Sequence, residues 1–376
     1  MRLSCLQENL SRGLSIVGRA VATRTTLPIT LNVLLSTDQG RLKLSATDLE
    51  VAISTWIGVQ IEEEGAITIP ARLLTEFVNS LPADRIDIES SSQPLGLSLK
   101  CARFEASVNG TAADDFPPIP GVESGVTGKI DIETLREAIS KVVFAAATDE
   151  SRPVLTGVKV EMGGDDFTFA AADGFRLAVY RGKLAQSVPD EVEFIIPARA
   201  LAEVNRLATG QSDPVEFTVT PSKSQALFRL DNVELVSQLV QGTFPNYSQL
   251  IPQEHQARVV VDQEQFLRAT RTAAIFARDG SGIIRLQVGG DDDGKLRISS
   301  RAEEVGENQG EIDAKVEAAE GESKIAFNSR YLSEVLDVMG NGEVALETTS
   351  PSSPGVLRQI GRDTYVHVVM PMFVQW

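Results

Sequence analysis

Ile69-Pro70-Ala71-Arg72-Leu73-Leu74-Thr75-Glu76 returns downstream as Ile196-Pro197-Ala198-Arg199-Ala200-Leu201-Ala202-Glu203, and more loosely as Phe327-Asn328-Ser329-Arg330-Tyr331-Leu332-Ser333-Glu334. The offsets are 127 and 131 residues. Working outward, an amphipathic stretch opens some 60 residues before each copy, at Leu10, Leu135 and Phe266. Each is followed by an apolar segment expected as a strand, at 29–35, 154–160 and 283–288. A third marker closes two of the units, as Asp115-Phe116-Pro117-Pro118-Ile119-Pro120 and Thr243-Phe244-Pro245-Asn246-Tyr247. Three markers in one order and spacing mark internal repetition. The chain reads as three homologous domains, 1–121, 128–252 and 257–376.

Within each unit the pattern is helix, strands, helix, strands. Helical windows fall at 6–21, 70–82, 131–146, 197–209, 262–277 and 328–340, with periodic apolar residues such as Leu135, Ile139, Val142 and Val143. Pro70 and Pro197 stand where a first helical turn tolerates a missing N–H. Alternation in Ile86-Asp87-Ile88-Glu89 and Leu95-Gly96-Leu97-Ser98-Leu99 predicts strands. Gly163-Gly164-Asp165-Asp166 and Asp291-Asp292-Asp293-Gly294 are expected to turn hairpins. The fold class is α+β, each unit placing two helices on one face of antiparallel sheets.

Composition narrows the function. The only cysteines, Cys5 and Cys101, and the only histidines, His255 and His367, have no metal-ligand spacing, and no cofactor is expected. No apolar run is long enough to span a bilayer, and the start, Met1-Arg2-Leu3-Ser4-Cys5-Leu6-Gln7-Glu8, lacks a signal core. A reducing cytoplasm suits this usage, with no membrane partner. The net charge of −17 runs against the basic footprint usual in nucleic-acid binding, so its distribution matters. The six helical windows hold ten Lys/Arg and ten Asp/Glu, which leaves the whole excess in strands and loops. Acids gather at helix N-terminal turns (Glu8, Asp131, Glu133, Asp262, Glu264), where the helix dipole favours them. Arginines recur at face spacing: Arg12 with Arg19, Arg199 with Arg206, Arg268 with Arg271. Charge alone fits a basic helical lining facing a polyanion and fits equally a solvated face with scattered arginines.

Size tests the first of these. A domain of this length has a radius of gyration of about 14 Å, an equivalent sphere of roughly 18 Å radius. Three such spheres in a ring leave a hole of only about 3 Å radius and six leave about 18 Å, whereas a duplex needs about 10 Å plus hydration. One chain cannot surround a duplex; two chains head to tail can, and a head-to-tail contact that closes makes a ring. The contact would join repeat one, at Arg103 and Phe104, to repeat three, at Ile275 and Phe276 with Glu303, Glu304 and Glu307 nearby. The alternative is that Phe104 and Ile275 are ordinary core.

The chain resembles the beta subunit of bacterial DNA polymerase III, and does so throughout. The resemblance rests on residues 24–31 (RTTLPITL), Thr47-Asp48-Leu49-Glu50, Ile69-Pro70-Ala71-Arg72, Ala172-Asp173-Gly174-Phe175-Arg176-Leu177-Ala178, Phe244-Pro245-Asn246-Tyr247 and Val368-Val369-Met370-Pro371-Met372. It implies three repeated DNA-clamp domains closing as a dimer into a six-domain ring, a non-catalytic processivity factor whose helices line the hole. Arg12, Arg24, Arg72, Arg199 and Arg206 match basic family positions facing double-stranded DNA, and Arg19, Arg136, Lys141, Arg268 and Arg271 join them as candidates. Contact with phosphates alone lets such a ring slide.

The resemblance further implies an apolar cleft that receives short peptides from the polymerase III catalytic subunit, the clamp-loader complex and other clamp-binding proteins. Its residues here are Arg152, Leu155, Gly174, Phe175, Arg176, Leu177, Pro245, Leu250, Val369, Met370, Pro371 and Met372. Methionines are soft and adaptable, as one pocket serving many partners requires; plain core packing is the other reading of Met370 and Met372. The chain departs from the family at its end, Phe373-Val374-Gln375-Trp376, at Phe175 where His is common, at Gln249 where Arg occurs, and at Asp149 where a neutral residue meets DNA.

Two other classes compete. An enzyme would draw on Asp48 and Asp173, but these read as turn residues, and neither histidine stands in a repeat motif to supply a base. The run 291–293 resembles a metal loop only superficially, and no Gly-rich phosphate loop is present. A repeat scaffold without DNA would share the periodicity but not the terminal Met-Pro-Met or the arginine faces.

Overall fold

The computed structural model describes residues 1–376 except 120, 123, 150, 278–281, 290–293, 305, 319–320 and 376. Among the described residues six α-helices form: α1 (Gln7–Val17), α2 (Ala71–Ser80), α3 (Ile132–Val142), α4 (Ala198–Leu207), α5 (Gln263–Ala277) and α6 (Ser329–Met339). All lie inside their expected windows. α1 and α3 stop early because the chain tightens into 3-10 turns at Gly18–Ala20 and Val143–Ala145. None is long and apolar enough to cross a membrane.

The apolar periodicity is buried. Leu10, Gly13, Leu14 and Val17 of α1, and Leu332, Val335, Leu336 and Met339 of α6, face inward. A Cβ on Gly13 would stand 2.6 Å from Leu44 Cδ1, so the bare backbone lets α1 lie directly on the strand Arg41–Thr47. The first helix of a repeat also ties down the second. Gln7 Nε2 donates to Val78 O at 2.8 Å, and Gln263 Nε2 donates to Leu336 O at 2.5 Å, each satisfying a carbonyl near a helix C-terminus.

The chain divides into two compact units that do not follow the repeat borders: 1–135 with 184–190 and 200–239, and 136–183 with 191–199 and 240–376. Strand pairing supplies the reason. In the first unit, antiparallel pairing runs from Ala66–Pro70 through Asn32–Asp38, Arg41–Thr47 and Val51–Ile57. It continues into the second repeat through Val233–Gln238, with Val51 opposite Ser237. In the second unit, Arg176–Tyr180 pairs with Tyr365–Val369 of the third repeat, with Arg176 opposite Val369. A second sheet in the first unit orders Gln60–Glu63, Arg2–Leu6, Arg85–Ser92, Leu95–Cys101 and Phe104–Asn109, the last forming its edge.

Several expectations need correcting. Residues Pro28–Leu31 and Pro153–Thr156 are 3-10 turns, and the strands expected there begin only at Asn32 and Gly157. Proline fixes φ and lacks the N–H that a ladder needs, so it opens a turn instead. The run Gly163-Gly164-Asp165-Asp166 falls inside the strand Gly157–Ala172, with Gly164 at φ +56°. The aspartates 291–293 lie outside the described residues. Arg19 is not on the α-helical face of Arg12, because α1 ends at Val17.

Candidate functional site

Asp48 and Asp173 occupy matching places in repeats one and two, and the fold uses both the same way. Asp48 Oδ1 accepts from the backbone N–H of Glu50 at 3.1 Å and of Val51 at 2.9 Å. Asp173 Oδ1 accepts from those of Phe175 at 2.9 Å and of Arg176 at 3.0 Å. These are turns built by aspartate side chains, as read from the sequence.

The second turn aims Arg176 inward. Its Nε lies 3.0 Å from Asp173 Oδ2, its Nη1 meets Glu334, and its Nη2 donates to Phe144 O at 2.6 Å. The guanidinium sits 4.6 Å from the Tyr331 ring centroid and 5.2 Å from that of Phe144. Burial works against ionisation of Glu334, but hydrogen bonds from Arg330 and Arg176 outweigh it and hold its pKa below the usual range. Arg176 is thus a buried strut beneath the turn. On the other side of the turn, Arg152 Nη2 donates to Asp173 O at 3.0 Å, and Gly174 takes φ +93°, a conformation that L side chains rarely adopt.

The expected cleft residues gather around this turn. Leu155 and Leu177 are buried in one cluster with Phe244, Tyr247, Ile251, Val366 and Val368, and Val369 is fully buried on the adjoining strand. Met370 N donates to Phe175 O at 2.8 Å and Met372 N to Ala326 O at 2.8 Å, which fixes the Met-Pro-Met segment beside the turn. Above the packed floor, Leu250 is 51% exposed and Met370 is 43% exposed. Pro245 and Phe175 are exposed as well, Phe175 stacking on Tyr331 at 6.4 Å. Met370 is therefore not plain core. Exposed apolar side chains over an apolar floor can take the apolar side chains of a short extended segment.

The basic residues are less uniform. Arg12, Arg24, Arg72, Arg199, Arg268 and Arg271 are exposed, while Arg136 and Arg206 are half-buried. Arg72 pairs with Glu76 at 2.8 Å, Arg268 with Glu264 at 2.6 Å and Arg271 with Asp337 at 2.6 Å. Arg19 and Arg206 share Glu203, at 3.4 and 2.8 Å. Lys141 must be struck from the surface set, for it is only 3% exposed. Its ammonium is 2.7 Å from Glu137 and faces the rings of Tyr365 and Tyr180 at 5.4 and 5.8 Å. The i,i+4 pairing with Glu137 was visible in the sequence; the inward turn of the helix was not.

Next to Lys141's partner ring lies His367, fully buried. Its ring stacks on Phe144 at 5.6 Å, and its Nδ1 is 3.0 Å from the Tyr365 hydroxyl. Burial, with the nearby Arg176 cation, lowers its pKa from 6.5 to about 3. The native imidazole stays neutral where the unfolded chain binds a proton, so this stability is complete above pH 6.5 and drains away as pH falls toward 3. Between pH 6.5 and about 5 the expected loss is roughly 1 kcal/mol per pH unit, read from urea midpoints. In His367→Phe that slope should vanish.

Phe104 and Ile275, the residues assigned to a contact between copies, are 54% and 58% exposed. Arg103, Glu303 and Glu304 are also exposed and Phe276 is half-buried. The core reading of Phe104 and Ile275 fails. Phe104 opens the strand that ends its sheet among the described residues.

With Asp48 and Asp173 held in turns and exposed apolar side chains over a packed floor, this triplicated helix-on-sheet chain has the build of a clamp-type binding scaffold. Models of the N-terminal, central and C-terminal domains of the DNA polymerase III beta subunit match residues 1–120, 129–246 and 248–373. The beta sliding clamp of Synechococcus elongatus is 34% identical over 376 residues, covering 99% of each chain. The crystal structure of the Bacillus subtilis DNA polymerase sliding clamp superposes with a TM-score of 0.94 at 27% identity, covering 100% of both chains. That of the Pseudomonas aeruginosa DNA polymerase III subunit beta gives 0.91 at 30% identity, again covering 100% of both. The chain belongs to the DNA polymerase III beta subunit family, the beta sliding clamps.

Proposed function

We propose that two copies of this chain close head to tail around duplex DNA and hold the replicative polymerase to it. The observation that carries this reading is the match of all three repeats, in order, to the three clamp domains over the whole length. The domains are 1–121, 128–252 and 257–376. Arg12, Arg19, Arg24, Arg72, Arg136, Arg199, Arg206, Arg268 and Arg271 face the duplex and meet its phosphates irrespective of sequence. The groove beside the Asp173 turn receives linear peptides from the polymerase III catalytic subunit, the clamp loader and other clamp-binding proteins. The setting is the cytoplasm. A scaffold without DNA, the competing reading, has no comparable support.

The junction forms where the edge strand with Phe104 and Arg103 meets α5 with Ile275 and the acids Glu303 and Glu304. Apolar centres flanked by opposite charges suit such an interface. Sedimentation at micromolar concentration should give the mass of two chains, and low-resolution images an annulus with six lobes. Phe104→Glu combined with Ile275→Glu should weaken dimerisation at least about a hundredfold, because truncating central anchors removes most of the binding energy. A wild-type particle with the mass of one chain, or a double variant that dimerises normally, contradicts the proposal.

A further inference from the structure

The first compact unit holds a cavity of about 580 Å³, formed where α1 and the strands Arg41–Thr47 and Val51–Ile57 face the end of α4 and the turn at 231–233. Arg12, Arg41 and Arg206 line it from three separate elements, and Asp231 is the one carboxylate among the lining residues. In a chain of net charge −17, that convergence of guanidinium groups is local and specific. Their partners are incomplete. Arg41 Nη1 donates to Asn232 Oδ1 at 2.8 Å and Arg12 Nη2 to Asn9 Oδ1 at 3.4 Å, both neutral amides. Arg206 Nε is held by Glu203, which leaves its Nη2 buried and without an acceptor among the described residues.

A buried guanidinium N–H without an acceptor is costly, and a fork of N–H donors matches the oxygens of a phosphate. Arg12, Asp231 and Asn232 are exposed at the rim, so an anion has an entrance. Asp231 Oδ1 accepts from Asn232 Nδ2 at 3.0 Å. We propose that this cavity is a phosphate-binding site, with Arg41 as the residue that distinguishes it from a general basic surface. The phosphate is that of a free polyphosphate, such as a nucleotide's, and not of the duplex backbone already assigned to the basic helices. The site goes beyond the clamp reading and, for the free ligand, does not depend on it.

Pyrophosphate titrated calorimetrically into the full-length protein at low salt tests it. Saturable binding is expected, weakened about tenfold in Arg41→Gln and in Arg206→Gln. It should be unchanged in Arg85→Gln, an exposed residue paired with Asp87 on another sheet. If pyrophosphate does not bind, but Arg41→Gln lowers the salt slope of duplex binding by about one, Arg41 belongs to the duplex-facing surface and the proposal falls. Urea midpoints near wild type show that each variant folds. Absent pyrophosphate binding with an unchanged slope overturns the proposal, as does binding that neither arginine substitution weakens.

Discussion

Arg176→Ala should cost about 3–5 kcal/mol of folding stability, the range expected when one partner of a buried charge cluster is removed. The guanidinium neutralises Asp173 and Glu334 together and satisfies the Phe144 carbonyl. Truncation leaves Asp173 facing a cavity. Glu334 keeps only Arg330, 2.8 Å away on the exposed side of α6. Arg176→Lys should recover little, since an ammonium cannot span both carboxylates and the carbonyl in one plane. Arg72→Ala is the contrast: its pair with Glu76 is exposed, and its loss should leave the urea midpoint near that of the wild type. Urea midpoints at constant m separate these cases. A loss below about 1 kcal/mol for Arg176→Ala would mean that the cluster relaxes around the gap, and that the turn beneath the groove is not held from below as described.

Met370→Asp combined with Leu250→Asp should abolish peptide capture while leaving the fold intact. Both side chains are about half exposed, so the two substitutions together should cost the free protein only about 1–3 kcal/mol, which urea midpoints would register. In the complex each gives up the burial of its exposed half, about 0.8–1.5 kcal/mol, and brings an unpaired carboxylate against an apolar peptide. A loss of at least about a hundredfold follows. The probe is a fluorescent peptide carrying the clamp-binding segment of a polymerase III catalytic subunit, with anisotropy as readout. Undiminished affinity would place the peptide elsewhere.

How far these sites were legible in the sequence depends on the distance over which their chemistry acts. The helices were readable because apolar spacing is local, and so were the turns at Asp48 and Asp173, whose side chains bond backbone two and three residues on. The partners of Arg176 were not, for Glu334 lies 158 residues away and nothing near either residue announces the pair. Lys141 misled because a cation on an amphipathic helix defaults to the surface; only the tertiary position of Tyr365 and Tyr180 makes burial tolerable. Sheets that cross from one repeat into the next escaped notice. A strand's edge carries no mark of the partner that will extend it. Arg41 belonged to no helix and no motif, and its convergence with Arg12 and Arg206 emerges only in the folded unit.

The central claim is topological: the protein holds DNA by surrounding it. The most direct measurement loads the protein, with its clamp loader, onto a nicked circular plasmid. Retention through gel filtration is then compared before and after a single cut. Retention on the closed circle and release on linearisation are predicted at salt high enough to suppress simple phosphate binding. Equal retention on both forms, or loss from both, would contradict encirclement.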